Sequence, residues 1–239
     1  MKFNQRSEPM KNPIIAALDV DTRDQALRLA DDLADVVGGF KVGPRLCLRY
    51  GQDLVKEIAA RGPVFIDNKH FDIPSTMEAA VRASFDAGAT LVTVHALSGK
   101  EALSKMAAIE KELNQLRPFK ILAVTILTSW DQNSLPANLK QQPISQHVTE
   151  LASLVLESGM TGLVCSPHEL DLLQNKGLYL VTPGIRFSMD AHGDQKRVMG
   201  PAEAIHAGAS ALVVGRPIIE AKNPRETATD YVMALYEKK

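Results

Sequence analysis

Cysteine is scarce in this chain. The 239 residues hold two, Cys47 and Cys165, with no Cys-x-x-Cys and no histidine pair near either. That argues against a disulfide scaffold and against a zinc site, and it predicts two reduced, buried structural thiols. Net charge is almost absent at -1, so no global basic field points to nucleic acid or to an anionic membrane. No apolar run approaches the roughly 20 residues a helix needs to span a bilayer. The first twelve residues, Met1 to Asn12, are polar and contain no apolar segment of the signal-peptide kind. A cytoplasmic protein is expected. What is present is ordinary for a globular chain, 45% hydrophobic and 23% charged. The length suits one α/β barrel, which runs to about 250 residues.

A strand–helix rhythm runs from residue 14 to the end. Short apolar runs at Ile14–Leu18, Phe40–Gly43, Val64–Asp67, Leu91–His95, Ile121–Thr125, Gly162–Cys165, Leu178–Val181 and Ser210–Val214 predict eight strands. Helical spacing falls between them at 24–37, 44–60, 76–86, 100–116, 146–157 and 168–174, and again at 224–236. Unbroken apolar strands suggest a sheet buried on both faces, and strands separated by helices suggest parallel βαβ units. The pattern predicts a single (β/α)₈ TIM barrel across 1–239, with 1–12 a polar N-terminal extension. An open doubly wound sheet is the alternative, disfavoured because no Gly-x-Gly-x-x-Gly follows the first strand.

The stretch from Phe65 to Thr76 stands out. It begins as a strand and ends in helix-start residues, with Pro74 and then a capping-box pair, Ser75 and Glu78. Between lie three charges in six residues, Asp67, Lys69 and Asp72. Residues two apart on a strand face the same side, so Asp67 and Lys69 share one space. Removing such charges from water costs several kcal/mol per ion, roughly, unless they pair well, so stability alone is a poor reason for the array. A solvated loop with one local ion pair is the bland alternative. Barrel enzymes carry their chemistry at the C-terminal ends of the strands. Those positions here are Asp19, Lys41, Asp67 with Lys69, His95, Thr128, the Pro183–Gly184 turn and Gly215–Arg216. Residues 182–200 form the longest irregular piece, which suits a lid. Gly215–Arg216 after the eighth strand suits phosphate, through backbone N–H groups, a helix start and the guanidinium fork. The structural alternative for Arg216 is an ion pair with Glu220. His70 alternates away from Lys69 and reads as structural. His95 reads as support for the array, Trp130 as packing or a lid contact, His192 as solvent-facing and Ser98 as a helix cap.

Taken together, Asp67-x-Lys69-x-x-Asp72-Ile73-Pro74, Leu18-Asp19, Phe40-Lys41-Val42-Gly43, Thr125-Ile126-Leu127-Thr128-Ser129, Thr182-Pro183-Gly184-Ile185-Arg186, Asp194-Gln195 and Val214-Gly215-Arg216 make the chain resemble the orotidine 5'-phosphate decarboxylase family, in its bacterial form. The resemblance runs from about Pro13 to Pro217. The Asp-x-Lys-x-x-Asp core alone is shared with sugar-phosphate relatives; Ile73-Pro74, the Lys41 strand and the Pro-Gly-Ile-Arg loop make it specific.

The resemblance implies decarboxylation of orotidine 5'-phosphate, the last step of UMP synthesis, with Lys69 as proton donor to C6. It implies that Asp19 and Lys41 hold ribose hydroxyls, that Lys41 also pairs Asp67, and that Asp67, Lys69 and Asp72 surround C6. It implies that Thr128 contacts the pyrimidine and that Arg186, Gln195, Gly215 and Arg216 hold the 5'-phosphate. Asp72 and Thr76 are implied to reach into a partner subunit's site, making a homodimer with shared sites. No metal and no organic cofactor is implied. Two alternatives differ in chemistry: a metal-dependent phosphosugar enzyme on the same scaffold, such as a keto-hexulonate phosphate decarboxylase or a hexulose phosphate synthase, and a barrel that binds a phosphate ligand without turnover.

Overall fold

The structure, a computed structural model, describes residues 10–187 and 198–236. Eight parallel strands close into a barrel in sequence order: β1 (Ile14–Ala17), β2 (Gly39–Val42), β3 (Val64–His70), β4 (Ala89–His95), β5 (Lys120–Val124), β6 (Gly162–Val164), β7 (Tyr179–Pro183) and β8 (Ala211–Val214), with β8 pairing back to β1. The helices around it are α1 (Arg23–Leu33), α2 (Pro44–Ala59), α3 (Pro74–Asp86), α4 (Gly99–Leu113), α5 (Ile144–Glu157), α6 (Leu170–Leu173), α7 (Pro201–His206), α8 (Arg216–Ile219) and α9 (Pro224–Ala234). The expected (β/α)₈ barrel is the fold observed.

Strand alternation sorts the apolar residues into two cores. Ile15, Ala17, Phe65, Leu91, Leu122, Val181, Ala211 and Val213 point inward and fill the barrel. Their neighbours, such as Ile14, Phe40, Val64, Val92 and Leu212, point outward into the layer covered by the helices. Both faces of the sheet are therefore dry, which is why the strands read as continuous apolar runs. Met10 packs against the inner cluster, its sulfur near the start of β2 at Gly39, so it plugs the N-terminal end. Asn12 and Lys11 donate to Val36 O and Ala34 O, at 2.8 Å each. Residues 10–12, assigned from sequence to the polar extension, are thus tied to the barrel.

Several local expectations needed correction. Pro74 takes the first helical position of α3, so Ile73 is the N-cap and no side chain caps the helix. The expected capping box of Ser75 and Glu78 does not form; Glu78 instead pairs with Arg82 at 3.0 Å and Lys105 at 2.7 Å. Ser98 precedes α4 without a side-chain cap, and its hydroxyl is buried with no partner among the described residues. A capping box does form at Ser166 and Glu169, before α6. The helix α7 escaped the sequence pattern because it is six residues long, too short to show a period. Cys165 is buried but Cys47 is only partly so; neither is in a disulfide. Burial pushes the Cys47 thiol upward, against a hydrogen bond with Asn68 and the nearby Lys41 charge, which disfavours a nucleophilic thiolate.

Candidate active site

The polar residues at the barrel mouth follow from the same alternation that fills its interior. Asp19 lies two residues beyond Ala17, Asp67 two beyond Phe65, Thr93 two beyond Leu91 and Gly215 two beyond Val213. One further step of the pleat therefore replaces the last apolar layer with carboxylates and hydroxyls. Lys41, two residues after Gly39 on β2, falls in the same phase.

These residues make a continuous charged chain across three strands. Lys41 Nζ lies 3.1 Å from Asp19 Oδ1 and 3.7 Å from Asp67 Oδ2. Lys69 Nζ lies 2.9 Å from the other oxygen, Asp67 Oδ1. The Lys41 and Asp67 side chains are 12% and 16% exposed, against 38% for Lys69. Charges this dry require close partners. Burial pushes the Asp67 carboxyl upward, but the ammoniums of Lys41 and Lys69 and hydrogen bonds from Lys69 and Thr93 outweigh it, leaving it ionised well below the usual carboxylate range. Of the two lysines, Lys69 is the more exposed and so the more open to a ligand in the mouth.

Asp67 and Lys69 share a space as expected, but not by the regular pleat. Ile66 pairs with Val92 and His70 with Val94, so three residues of β3 lie opposite the single residue Thr93. Within this bulge Lys69 takes a left-handed backbone conformation, φ +49°, which costs a side-chain-bearing residue about 1–2 kcal/mol. The Lys69 N–H donates to Thr93 Oγ1 at 2.9 Å, and the Thr93 hydroxyl donates to Asp67 Oδ1 at 3.0 Å. Thr93 is fully buried. Sequence reasoning missed it, because a threonine inside an apolar strand is ordinary; its phase, two residues beyond inward Leu91, was the available signal.

Asp72 does not stand beside Lys69 within this chain. It is exposed on the turn after β3, where its Oδ1 accepts the N–H of Ile73 at 2.7 Å. Thr76 is exposed on the first turn of α3, and Phe71 and Ile73 flank Asp72 at 60% and 64% exposure. Within one chain the charged array is Asp19, Lys41, Asp67 and Lys69, and Asp72 is exposed on the turn beyond it.

His95 closes β4. Its Nδ1 accepts the N–H of Leu97 at 3.3 Å, and its ring lies 5.4 Å from that of Phe71. Burial, helped by the charge of Lys69, pushes its pKa down, so it is neutral at pH 7. Burial does the same to His70, whose Nε2 is enclosed without a partner among the described residues. Trp130 packs against the outer core.

Thr128 sits half-buried in the loop after β5. Arg186 follows β7 and is 7% exposed, with Nε lacking a hydrogen-bond partner among the described residues. The base of its loop is pinned by Arg186 N–H to Met199 O at 3.0 Å. Gly215 caps α8 and half-buried Arg216 begins it. α8 has four residues, too few for a strong helix dipole, so the positive charge in this corner comes from guanidinium groups rather than from a helix terminus. Gln195, His192 and most of the 182–200 loop lie outside the described residues. Among the described residues no group of three or more His, Cys, Asp or Glu could hold a metal ion, and no helix is long and apolar enough to cross a membrane.

Comparison with known proteins identifies the family. A profile described as the Orotidine 5'-phosphate decarboxylase / HUMPS family matches residues 12–231. The orotidine 5'-phosphate decarboxylase of Trichlorobacter lovleyi is 43% identical over 223 residues, covering 91% of this chain and 92% of that protein. That of Parasynechococcus marenigrum is 47% identical over 219 residues, covering 88% and 89%. The crystal structure of orotidine 5'-phosphate decarboxylase from Lactobacillus acidophilus superposes with a TM-score of 0.81 at 31% identity, covering 95% of this chain and all of that one. With its fold, its motif order and its relatives in agreement over almost its whole length, the chain belongs to the orotidine 5'-phosphate decarboxylase / HUMPS family.

Proposed function

We propose that this protein converts orotidine 5'-phosphate to uridine 5'-phosphate and CO₂, the last step of de novo UMP synthesis, without a cofactor. The observation that carries this reading is the Lys69 ammonium held 2.9 Å from the ionised, largely buried Asp67 at the barrel mouth. Breaking the bond between C6 and its carboxylate leaves an electron pair on C6 as CO₂ departs. A fixed ammonium beside that carbon stabilises the developing charge and then delivers a proton to it. Lys69 combines both abilities; Asp67 pairs with it and aims it, and Lys41 fixes Asp67 from the other side. Lys41 and Asp19 also present groups suited to ribose hydroxyls, and Thr128 to the pyrimidine. Arg186 and Arg216, with Gly215, supply the 5'-phosphate grip; Gln195 belongs to the same proposal. Binding energy from that remote phosphate can be spent on orienting and desolvating the reacting carbon.

Asp72 and Thr76 complete the proposal in a second copy of the chain. Two large apolar side chains, Phe71 and Ile73, flank exposed Asp72, and a homodimer that buried this segment would carry Asp72 toward its partner's site. Cys47 and Cys165, outside any disulfide, fit the cytoplasm, and the barrel forms the single catalytic domain.

The test is an absorbance assay of orotidine 5'-phosphate on purified protein, with and without excess chelator. Consumption of the nucleotide with release of CO₂, unchanged by chelator, is expected. Turnover that vanished on chelation would favour the metal-dependent sugar-phosphate chemistry instead, and an inert protein would leave only a ligand-binding barrel.

A further inference from the structure

We infer that Thr93 is a positioning residue for the reaction, the group that holds Lys69 and Asp67 in their working geometry; this rests on the reading of Lys69 as the acid. Three residues of β3, Asp67 to Lys69, lie opposite Thr93 alone, so regular strand pairing is interrupted there. The Lys69 amide is turned by its left-handed φ of +49° and finds the Thr93 hydroxyl at 2.9 Å. That hydroxyl spends its one proton on Asp67 Oδ1 at 3.0 Å. Asp67 is ionised and can only accept, which fixes the direction: amide to hydroxyl, hydroxyl to carboxylate.

Thr93 Oγ1 thus joins the backbone of the acid to the side chain of its partner. Asp67 Oδ1 receives the Thr93 hydroxyl and the Lys69 ammonium together, so the carboxylate plane and the amine are set by one atom on β4. Thr93 is fully buried. Water has poor access to replace it, and removing the hydroxyl leaves a buried amide and a carboxylate each short of a partner. Serine could make both bonds; valine, of nearly the same shape, could make neither.

The experiment compares Thr93→Val, Thr93→Ala and Thr93→Ser with the parent protein. Turnover in Thr93→Val is expected to fall roughly 10–100-fold, as when an outer partner of a reacting group is lost, while KM for orotidine 5'-phosphate changes less than about threefold because the phosphate grip is untouched. The acid limb of kcat/KM, set by Asp67, is expected to move to higher pH in Thr93→Val and to return in Thr93→Ser. Thr93→Ala reports the same loss should valine perturb the barrel. Amide hydrogen exchange at Lys69, read by NMR on the folded protein, is independent of activity. Faster exchange in the valine or alanine variant supports the inference; unchanged protection at Lys69 or a parental kcat overturns it. An inactive parent protein with Lys69 exposed to exchange by Thr93→Val would sink the proposed reaction and leave the positioning role standing.

Discussion

In the proposed reaction, Lys69 Nζ is the one atom asked both to oppose charge on C6 and to supply its proton. Lys69→Ala is expected to reduce turnover by at least roughly 10²–10⁴-fold, the range for loss of a general acid. Binding of the product nucleotide, measured by calorimetry, should persist, since the proposed phosphate-binding groups remain. Retained turnover would remove Lys69 as the acid. Arg216→Ala is expected to weaken orotidine 5'-phosphate through KM while leaving slow turnover of phosphate-free orotidine unchanged; equal losses on both substrates would place Arg216 elsewhere. Asp67 and Lys69 were legible in the sequence because charges two apart at a strand end stand out against apolar surroundings. Thr93 was not, since its role depends on which residue of β3 it faces, and the bulge at 67–69 decides that.

The turn from β3 into α3 shows where local chemistry and geometry part. Ser75 and Glu78 have the spacing of a capping box, yet Pro74 moves the helix start two residues earlier and leaves Ile73 as the cap. Glu78 then finds Arg82 and Lys105. The same turn directs Asp72, Phe71 and Ile73 outward. If a second copy completes the site there, Lys69→Ala and Asp72→Ala proteins, each inactive alone, should regain activity when mixed under conditions that exchange subunits. The mixed dimer would hold one site with both residues intact. Mixtures that stay inactive although sedimentation shows subunit exchange would count against shared sites. On the far side of the barrel, β5 and β6 approach so closely at Gly162 that an added Cβ would lie 2.4 Å from Ile121 O. Gly162→Ala is expected to destabilise by about 1–3 kcal/mol, as overpacking does, seen as a lower denaturant midpoint at unchanged m-value.

Closure of the barrel ties distant parts of the chain together. Arg225 on α9 grips Asp35, after α1, through two 2.6 Å hydrogen bonds, and donates to Asp32 O at 2.7 Å. That contact holds Asp35 down to about 2. Asp31, Asp67, Glu78 and Glu112 are likewise lowered, three by arginine or lysine hydrogen bonds and Asp67 by the charges that overcome its burial. A lowered carboxyl binds fewer protons folded than unfolded. Its contribution is complete above the unfolded value of about 3.9–4.3 and is lost as pH falls through the folded one. His70 and His95, also lowered, stay neutral in the fold and begin to oppose it below about 6.5, where the unfolded chain protonates. The melting temperature is therefore expected to be level near neutrality, to decline gently below about pH 6.5 and to drop steeply below about pH 4. A profile flat down to pH 3 would show that these pairs contribute little, as many exposed ones do.

Much of this protein could be read before any coordinates. Eight apolar runs separated by helical spacing admit few architectures besides a barrel, because strands buried on both faces need helices around them. Charged residues at the ends of those runs pointed to one rim, because parallel strands all end on the same side. Tertiary pairing alone decided the register that sets three residues of β3 against Thr93, the left-handed turn of Lys69 and the Thr93 hydroxyl that bridges the Lys69 amide to Asp67. Those outcomes depend on which strand lies alongside which, and on how each is staggered, a relation between residues far apart in the chain that no local spacing encodes.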